Sequence, residues 1–309
     1  MLGLVATLRG SAEAKPPKPM EHMQAANLGT EQHREEQERA LFAKLEERKM
    51  NALRKQGMGK YVESIPHLEH AFQEGKTESC TCIDERIPGG KVRLAGSGIL
   101  LSGGAEQAAE LLIAAGVKEV TSHEGCGAAA LAAKQAHAPD ANVYGQEFAK
   151  RVAALMSQKI GYPVRHRHIA AAEMRPPKDF YSHTEISKSP GHHPAQAVYY
   201  DFTGGFNPTK VPELPLGFVS SRRYVGPETA THDAQLAVKI ALGAHGLGKD
   251  YFQNGRQVRV IIVARSAQEL QQAKAVELAP VMQEFGETVA IDGFVVPRKL
   301  LPPAENALN

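Results

Sequence analysis

The chain has 309 residues, 42% of them hydrophobic, which is enough to bury a core in one large domain or two modest ones. Its formal net charge is +2, from 36 basic and 34 acidic residues, so we expect no broad cationic surface for nucleic acid or for an anionic membrane. Three cysteines are too few for a disulfide framework and are typical of a reducing compartment.

The start of the chain has little regular pattern. Residues 1–30 contain KPPKP and few periodic apolar positions, which predicts a flexible leader. The opening MLGLVATLRG is short and lacks a basic first segment, and no apolar run approaches the roughly 18 residues that span a bilayer, so neither a signal peptide nor a membrane span is expected. We expect a cytoplasmic protein, with an organelle as the alternative because Arg9 and Ser11 fit a transit segment.

Residues 31–75 are predicted to form an N-terminal helical arm. Between residues 31 and 55 charges of both signs alternate with apolar side chains on one side, which is the pattern of an amphipathic helix. A second helix is expected over about residues 60–74. The apolar side is expected to pack on the body of its own chain, and an arm that reaches onto another subunit is the alternative.

The next part of the chain alternates strand and helix patterns. TESCTCID (77–84) indicates a strand that ends in the turn IPGG, and AEQAAELLIAAG (105–116) indicates a helix stopped by Gly116. VKEVTS (117–122) indicates a second strand, and an Ala-rich helix starts directly after Cys126. Short connections between alternating elements predict an α/β fold with a mainly parallel sheet flanked by helices. Ligands of such sheets bind beyond the carboxyl ends of the strands.

Metal-ligating residues stand at the ends of two of these strands. CIDER (82–86) offers Cys82, and HEGC (123–126) offers His123 and Cys126. Two thiolates and an imidazole are three of the four ligands of a tetrahedral zinc, and a site with three protein ligands leaves one position open, as in catalytic zinc sites. Zinc in such a site lowers the pKa of a bound water to about 7 and so supplies hydroxide at neutral pH. We therefore predict one zinc ion per chain.

An acid and a base follow the first of these cysteines. Asp84 can accept a hydrogen bond beside the open position, and Arg86 can hold that carboxylate as a fork-shaped donor. An anchored Asp84 can orient the hydroxide, receive its proton, or occupy the open position itself. We therefore predict Asp84 and Arg86 as the catalytic residues.

The pattern C-x-D-x-R followed by H-x-x-C-G resembles that of the β-class carbonic anhydrases, and VRLAG (92–96) is similar to the V-R-N-A-G of that family. The resemblance implies an α/β fold, a zinc held by Cys82, His123 and Cys126, and reversible hydration of carbon dioxide to bicarbonate and a proton. It also implies a dimer with the site near the subunit contact.

Two departures from the family leave the substrate open. Leu94 stands where the family has Asn, and the segment with IPGGK is short where the family lines its substrate cleft. A zinc hydrolase of another small linear molecule, such as carbon disulfide or carbonyl sulfide, remains an alternative. A non-catalytic, zinc-stabilised scaffold protein is the other.

The order of elements repeats after Pro215. LGFVSSRRY repeats CTCIDER, HDAQLAVKIALG repeats AEQAAELLIAAG, and VRVIIVARSAQEL repeats VKEVTSHEGCGAA. We predict a tandem pseudodimer: a zinc-binding catalytic half at 76–210, which includes a last strand in AVYYDFTGGF (197–206), and a degenerate second half at 211–309 without metal ligands. The second half then takes the place of a dimer partner, unless the chain forms a homo-oligomer. The alternative is that any two strand-helix-strand units look alike.

Four further positions carry chemistry that the zinc site does not use. Cys80 is predicted to be a packed thiol rather than a ligand. His183, His192 and His193 have imidazoles that can assist proton transfer to bulk water.

Overall fold

A computed structural model describes residues 44, 46–174, 195–243 and 246–301 of the chain. These residues form two four-stranded sheets, each of them entirely parallel and flanked by helices. The predicted α/β class is therefore confirmed, although the strands divide between two sheets. The predicted leader at 1–30, the start of the predicted arm, and His183, His192 and His193 lie outside the described residues.

The first sheet carries the residues of interest. Its strands are β1 (Ser79–Thr81), β2 (Val92–Arg93), β3 (Glu119–His123) and β4 (Arg165–Ile169), in the order β2-β1-β3-β4. Its helices are α2 (Gly104–Ala114), α3 (Gly127–Gln135) and α4 (Ala141–Ile160). The ends of α4 follow from local chemistry: the Asp140 side chain accepts hydrogen bonds from two amides of the first turn, and Gly161 adopts the left-handed φ of 77° that terminates a helix.

The second sheet repeats this arrangement. Its strands are β5 (Ala197–Asp201), β6 (Gly217–Ser221), β7 (Val258–Ala264) and β8 (Val289–Val295), in the order β6-β5-β7-β8. Its helices are α5 (Arg222–Leu242), α6 (Ala267–Gln272) and α7 (Ala279–Phe285). In both sheets the first strand in sequence lies between the second and the third.

The position of β5 differs from the expectation. AVYYDFTGGF was expected to end the first half, but β5 pairs with β6 and β7 at the centre of the second sheet. The division at residue 210 therefore leaves one strand of the second sheet in the first half. LGFVSSRRY forms β6, which takes the place of β2 and not that of the strand before Cys82. Strands of parallel sheets share a common apolar pattern, so the pattern does not distinguish two neighbouring strands.

A helix over residues 46–63, here α1, and a 3-10 helix over Leu68–Lys76 cover one face of the second sheet. The predicted amphipathic helix thus extends beyond residue 55, and the predicted second helix is the 3-10 segment. These segments and the sheet share one buried apolar cluster, which includes Leu53, Met58, Phe72, Tyr199, Phe206 and Ile261. Within the described ranges, the arm therefore packs on the body of its own chain.

Polar contacts fix the arm in place. The Glu46 carboxylate, 2% exposed, accepts a hydrogen bond of 2.8 Å from the amide of Leu216. The Tyr61 hydroxyl donates to the carbonyl of Glu213 at 2.6 Å, and the amide of Met58 donates to Asp292 in β8 at 2.8 Å.

A second buried cluster lies on the opposite side of the second sheet and is continuous with the core of the first sheet. None of the helices in the described ranges is both long and apolar enough to cross a membrane.

We predict that Leu53→Ala lowers the free energy of unfolding by about 2–5 kcal/mol, because the side chain is fully buried between α1 and the second sheet. Lys55→Ala, an exposed position on the same helix, is the matched control and should change stability by less than about 0.5 kcal/mol. Chemical denaturation measures both. Equal stabilities for the two variants would show that α1 does not contribute this packing.

Candidate metal centre

Cys82, His123 and Cys126 come together at the carboxyl edge of the first sheet. Cys82 follows β1, His123 is the last residue of β3, and Cys126 is the N-cap of α3. One ligand atom of each lies within 4.8 Å of the other two, and all three residues are buried. The predicted residues therefore form a compact group that can bind a metal ion.

The distance between the two sulfurs fits a zinc ion. The Sγ atoms of Cys82 and Cys126 are 3.8 Å apart. Zinc–sulfur bonds of about 2.3 Å at a tetrahedral angle put two sulfurs about 3.8 Å apart. The thiols therefore already have the spacing that a shared tetrahedral ion requires.

The imidazole of His123 has a defined tautomer. Its Nδ1 donates a hydrogen bond of 2.9 Å to the carbonyl of Glu124, because a carbonyl oxygen can only accept. In the neutral ring Nε2 therefore carries the lone pair, and this buried atom has no hydrogen-bond partner. A metal-ligating histidine is oriented in the same way, by a hydrogen bond from its other ring nitrogen. A buried acceptor without a hydrogen-bond partner, in a group with two thiols, is suited to be the third ligand of a metal ion.

Amide groups surround the sulfurs. The amide of Gly96 donates to Cys82 Sγ at 3.3 Å. The contact with Cys82 and the amides of Ala128 and Ala129, at the start of α3, lower the pKa of Cys126. The same sulfur–sulfur contact raises the pKa of Cys82, so the pair shares a proton between two buried sulfurs. A dication satisfies both thiolates at once.

Two glycines allow the backbone to approach the sulfurs. Gly96 has a φ of 51°, and a Cβ there would lie 2.7 Å from Ile99 and 3.2 Å from Ala128. Gly125, between the two ligands of the second motif, has a φ of 66°. The left-handed conformation favours glycine at both positions, and at Gly96 the close side chains also leave no room for a Cβ.

Asp84 and Arg86 form a buried ion pair beside the thiols. Arg86 donates from Nε to Oδ1 at 3.0 Å and from Nη2 to Oδ2 at 2.7 Å, and its amide also donates to Oδ1 at 3.0 Å. Asp84 is 5% exposed and Arg86 is 7% exposed. The charge of Asp84 acts on both His123 and Cys126. The predicted fork-shaped contact is present, and it holds the carboxylate next to the ligands.

Sequence reasoning missed the structural importance of Arg93, which is fully buried. Its Nη1 donates to the carbonyls of Cys82 and Asp84, at 3.3 and 2.9 Å, and its Nη2 donates to those of Ile87 and Gly89, at 3.1 and 3.0 Å. One guanidinium therefore holds the whole loop that carries the first ligand and the acid. An arginine inside a strand pattern, between Val92 and Leu94, was the available signal.

Residues of the second sheet and its helix α5 support the same segment. Ser221 Oγ accepts from the amide of Arg93 at 2.8 Å, and Asp233 Oδ2 accepts from the amide of Ala95 at 3.1 Å. The amide of Val219 donates to the carbonyl of Ile83 at 2.8 Å. The loop after Cys82 and the segment from Arg93 to Ala95 are thus held by contacts with the second sheet and its helix α5. No motif in the sequence indicated these long-range contacts.

Other candidates lie outside the centre. Cys80 is fully buried, belongs to no ligand group in the described part of the chain, and has a raised pKa because of burial, as expected for a packed thiol. In β4, His166 and His168 both contact Ser122 Oγ, at 2.9 and 3.0 Å. The exposed Arg165 and Arg167 alternate with them.

The second sheet has no equivalent ligand group. β7 ends at Ala264, and the N-cap of the following helix is Ser266, whereas β3 ends at His123 and its helix is capped at Cys126. Residues 195–243 and 246–301 contain no cluster of three potential metal ligands. The centre is therefore confined to the first sheet in this part of the chain.

Comparison of the chain with models of protein families, with curated proteins and with solved structures gives no match. The site is therefore interpreted from its own geometry.

We predict that the purified chain retains one zinc ion and that Cys82→Ser and His123→Ala each reduce the zinc content below about a tenth of that value, because each removes a ligand. Cys80→Ala changes a neighbouring buried thiol outside the group and should retain the metal. Elemental analysis after gel filtration measures the zinc content per chain. Full retention in both ligand variants would contradict the assignment.

Asp233 should make the stability of the fold depend on pH. Burial raises the pKa of its carboxyl from 3.8 to about 7, so the folded chain holds this proton more tightly than the unfolded chain does. The stability that the proton contributes is present in acid and is lost as the pH rises toward 7. Relative to Asp233→Asn, the wild type should lose up to about 1.4 kcal/mol of unfolding free energy per pH unit between roughly pH 4 and pH 7. Denaturation in the presence of a chelator measures this; parallel pH profiles would contradict it.

Proposed function

We propose that this chain is a zinc-dependent lyase of the carbonic anhydrase type, which interconverts carbon dioxide and water with bicarbonate and a proton. The proposal is supported by the buried Cys82, His123 and Cys126 group with the Asp84–Arg86 pair beside it. Zinc held by three protein ligands is a Lewis acid that lowers the pKa of water to about 7. The remaining chemistry belongs to side chains of this chain.

The role of Asp84 in the proposal is to accept a hydrogen bond from water in the site. Both of its oxygens already accept charge-assisted hydrogen bonds from Arg86, which hold the carboxylate in place. Oδ1 already accepts two hydrogen bonds, from the amide and Nε of Arg86, and Oδ2 accepts one from Nη2, so the proposal assigns the contact with water to Oδ2. Arg86 is the positioning residue, because it fixes the orientation of the carboxylate.

We also propose that the two halves are a tandem pseudodimer in which only the first half is catalytic. The shared strand order of the two sheets supports this, as does the lack of a ligand cluster in the described residues of the second. The second half then acts as the partner that supports the site, through Ser221 and Asp233.

The test is carbon dioxide hydration by the zinc-loaded protein. We predict that Asp84→Asn keeps the zinc content but lowers kcat by about 100-fold or more, because a positioned proton acceptor contributes about 10²–10⁴-fold. Asp250→Asn, an exposed acid far from the ligands in sequence, is the control and should keep full activity. Stopped-flow measurement with a pH indicator gives the rates.

Two outcomes separate the alternatives. Turnover of carbonyl sulfide or carbon disulfide, with no hydration of carbon dioxide above the buffer rate, would replace the proposed substrate with another small linear molecule. Zinc binding without turnover of any of these molecules would favour a zinc-stabilised scaffold. Asp84→Asn would then change no measured rate.

A further inference from the structure

A second group of potential metal ligands lies on the surface, at the start of the 3-10 helix Leu68–Lys76. His67, Glu69 and His70 each place one ligand atom within 4.8 Å of the other two, and all three side chains are exposed. The group lies on the segment that covers the second sheet and shares no residue with the buried centre. It is therefore a separate cluster of donors.

Local backbone geometry explains why these side chains converge. His67 directly precedes the 3-10 helix, and His70 lies three residues further on, in its first turn. Their rings are nearly parallel, with an interplanar angle of 11° and centroids 5.4 Å apart. The amide of His70 donates to the carbonyl of His67 at 3.0 Å, and His67 has a left-handed φ of 57°. This turn brings both imidazoles to the same side as Glu69.

Buried apolar side chains hold this turn on the body of the protein. Leu68, Ala71 and Phe72 alternate with the three donors and are buried in the cluster between the arm and the second sheet. The carbonyl of Ala71 also accepts a hydrogen bond of 2.7 Å from the amide of Asn207. A turn that is already held in place loses little conformational entropy when its side chains bind an ion.

The charge of the group suits a divalent cation. The Nδ1 atom of His67 is 3.5 Å from Glu69 Oε1. The pKa of Glu69 is lowered, first by its own backbone amide and then by His67. The group offers two imidazole nitrogens and one carboxylate oxygen, and the lowered pKa of Glu69 keeps that carboxylate ionised at neutral pH. Such a donor set favours zinc and similar transition metals over magnesium or calcium, which prefer oxygen alone.

We propose that His67, Glu69 and His70 form a second, surface metal site that binds a borderline divalent cation such as zinc. Its remaining positions are open to water. Because the site lies on the turn that holds the arm, bound metal stabilises the packing of the arm on the second sheet through mass action. The proposal does not depend on the proposed lyase activity.

The experiment is a calorimetric titration of the full chain, preloaded with one equivalent of zinc, with further Zn²⁺ near neutral pH. We expect one additional binding event per chain. His67→Ala and His70→Ala should each weaken it by at least about tenfold, since loss of even a supporting contact at a metal site costs about 10–100-fold. His137→Ala is the matched control, because His137 is exposed, has a left-handed φ of 54° and belongs to no ligand cluster among the described residues.

Two results would overturn the site: no additional event in the wild type, or an event that survives unchanged in the doubly substituted His67→Ala, His70→Ala chain. The affinity should also fall in acid, because protons compete with a metal ion for its ligand atoms. The substituted side chains are exposed, so the variants should keep the fold, which circular dichroism checks. If the buried centre does not bind zinc, the preloaded equivalent is not retained. If the surface site does not bind zinc, the added zinc gives no binding heat.

Discussion

The hydrogen bonds from one buried guanidinium hold the candidate centre together. Arg93 donates to four carbonyl oxygens between Cys82 and Gly89, and these bonds give the loop a fixed shape without regular secondary structure. Buried carbonyls need donors, and a planar group with several N–H bonds supplies them from a single point. The positions of Cys82 and Asp84 relative to the sheet both depend on this arrangement.

The opposite side of the centre is fixed by the second half of the chain. Ser221 and Asp233 accept hydrogen bonds from the strand and turn that follow the loop, and the next amide, that of Gly96, donates to the sulfur of Cys82. The polar contacts across the junction therefore connect directly to one ligand. The second sheet and its helix thus contact the segment that supports one ligand, although their described residues contain no ligand cluster.

Sequence alone could predict the strand and helix order around the centre and the proximity of Cys82, His123 and Cys126. It could also predict the contact between Asp84 and Arg86. The proximity of the ligands follows the rule that parallel strands bring their carboxyl ends to one edge. The contacts of Asp233 with Ala95 and of Ser221 with Arg93 could not be predicted, because they join residues more than 100 positions apart and have no local pattern. β5, which was expected in the first half, pairs instead with strands of the second sheet, and this was missed for a different reason. Strand pairing is decided by tertiary packing, and buried parallel strands look alike in sequence.

The central claim is that a metal ion is bound by two sulfurs and one imidazole nitrogen. X-ray absorption at the zinc edge of the purified protein tests it directly. We expect two sulfur ligands at about 2.3 Å, with one nitrogen and one further light atom at about 2.0–2.1 Å. A spectrum with nitrogen and oxygen ligands alone would contradict it.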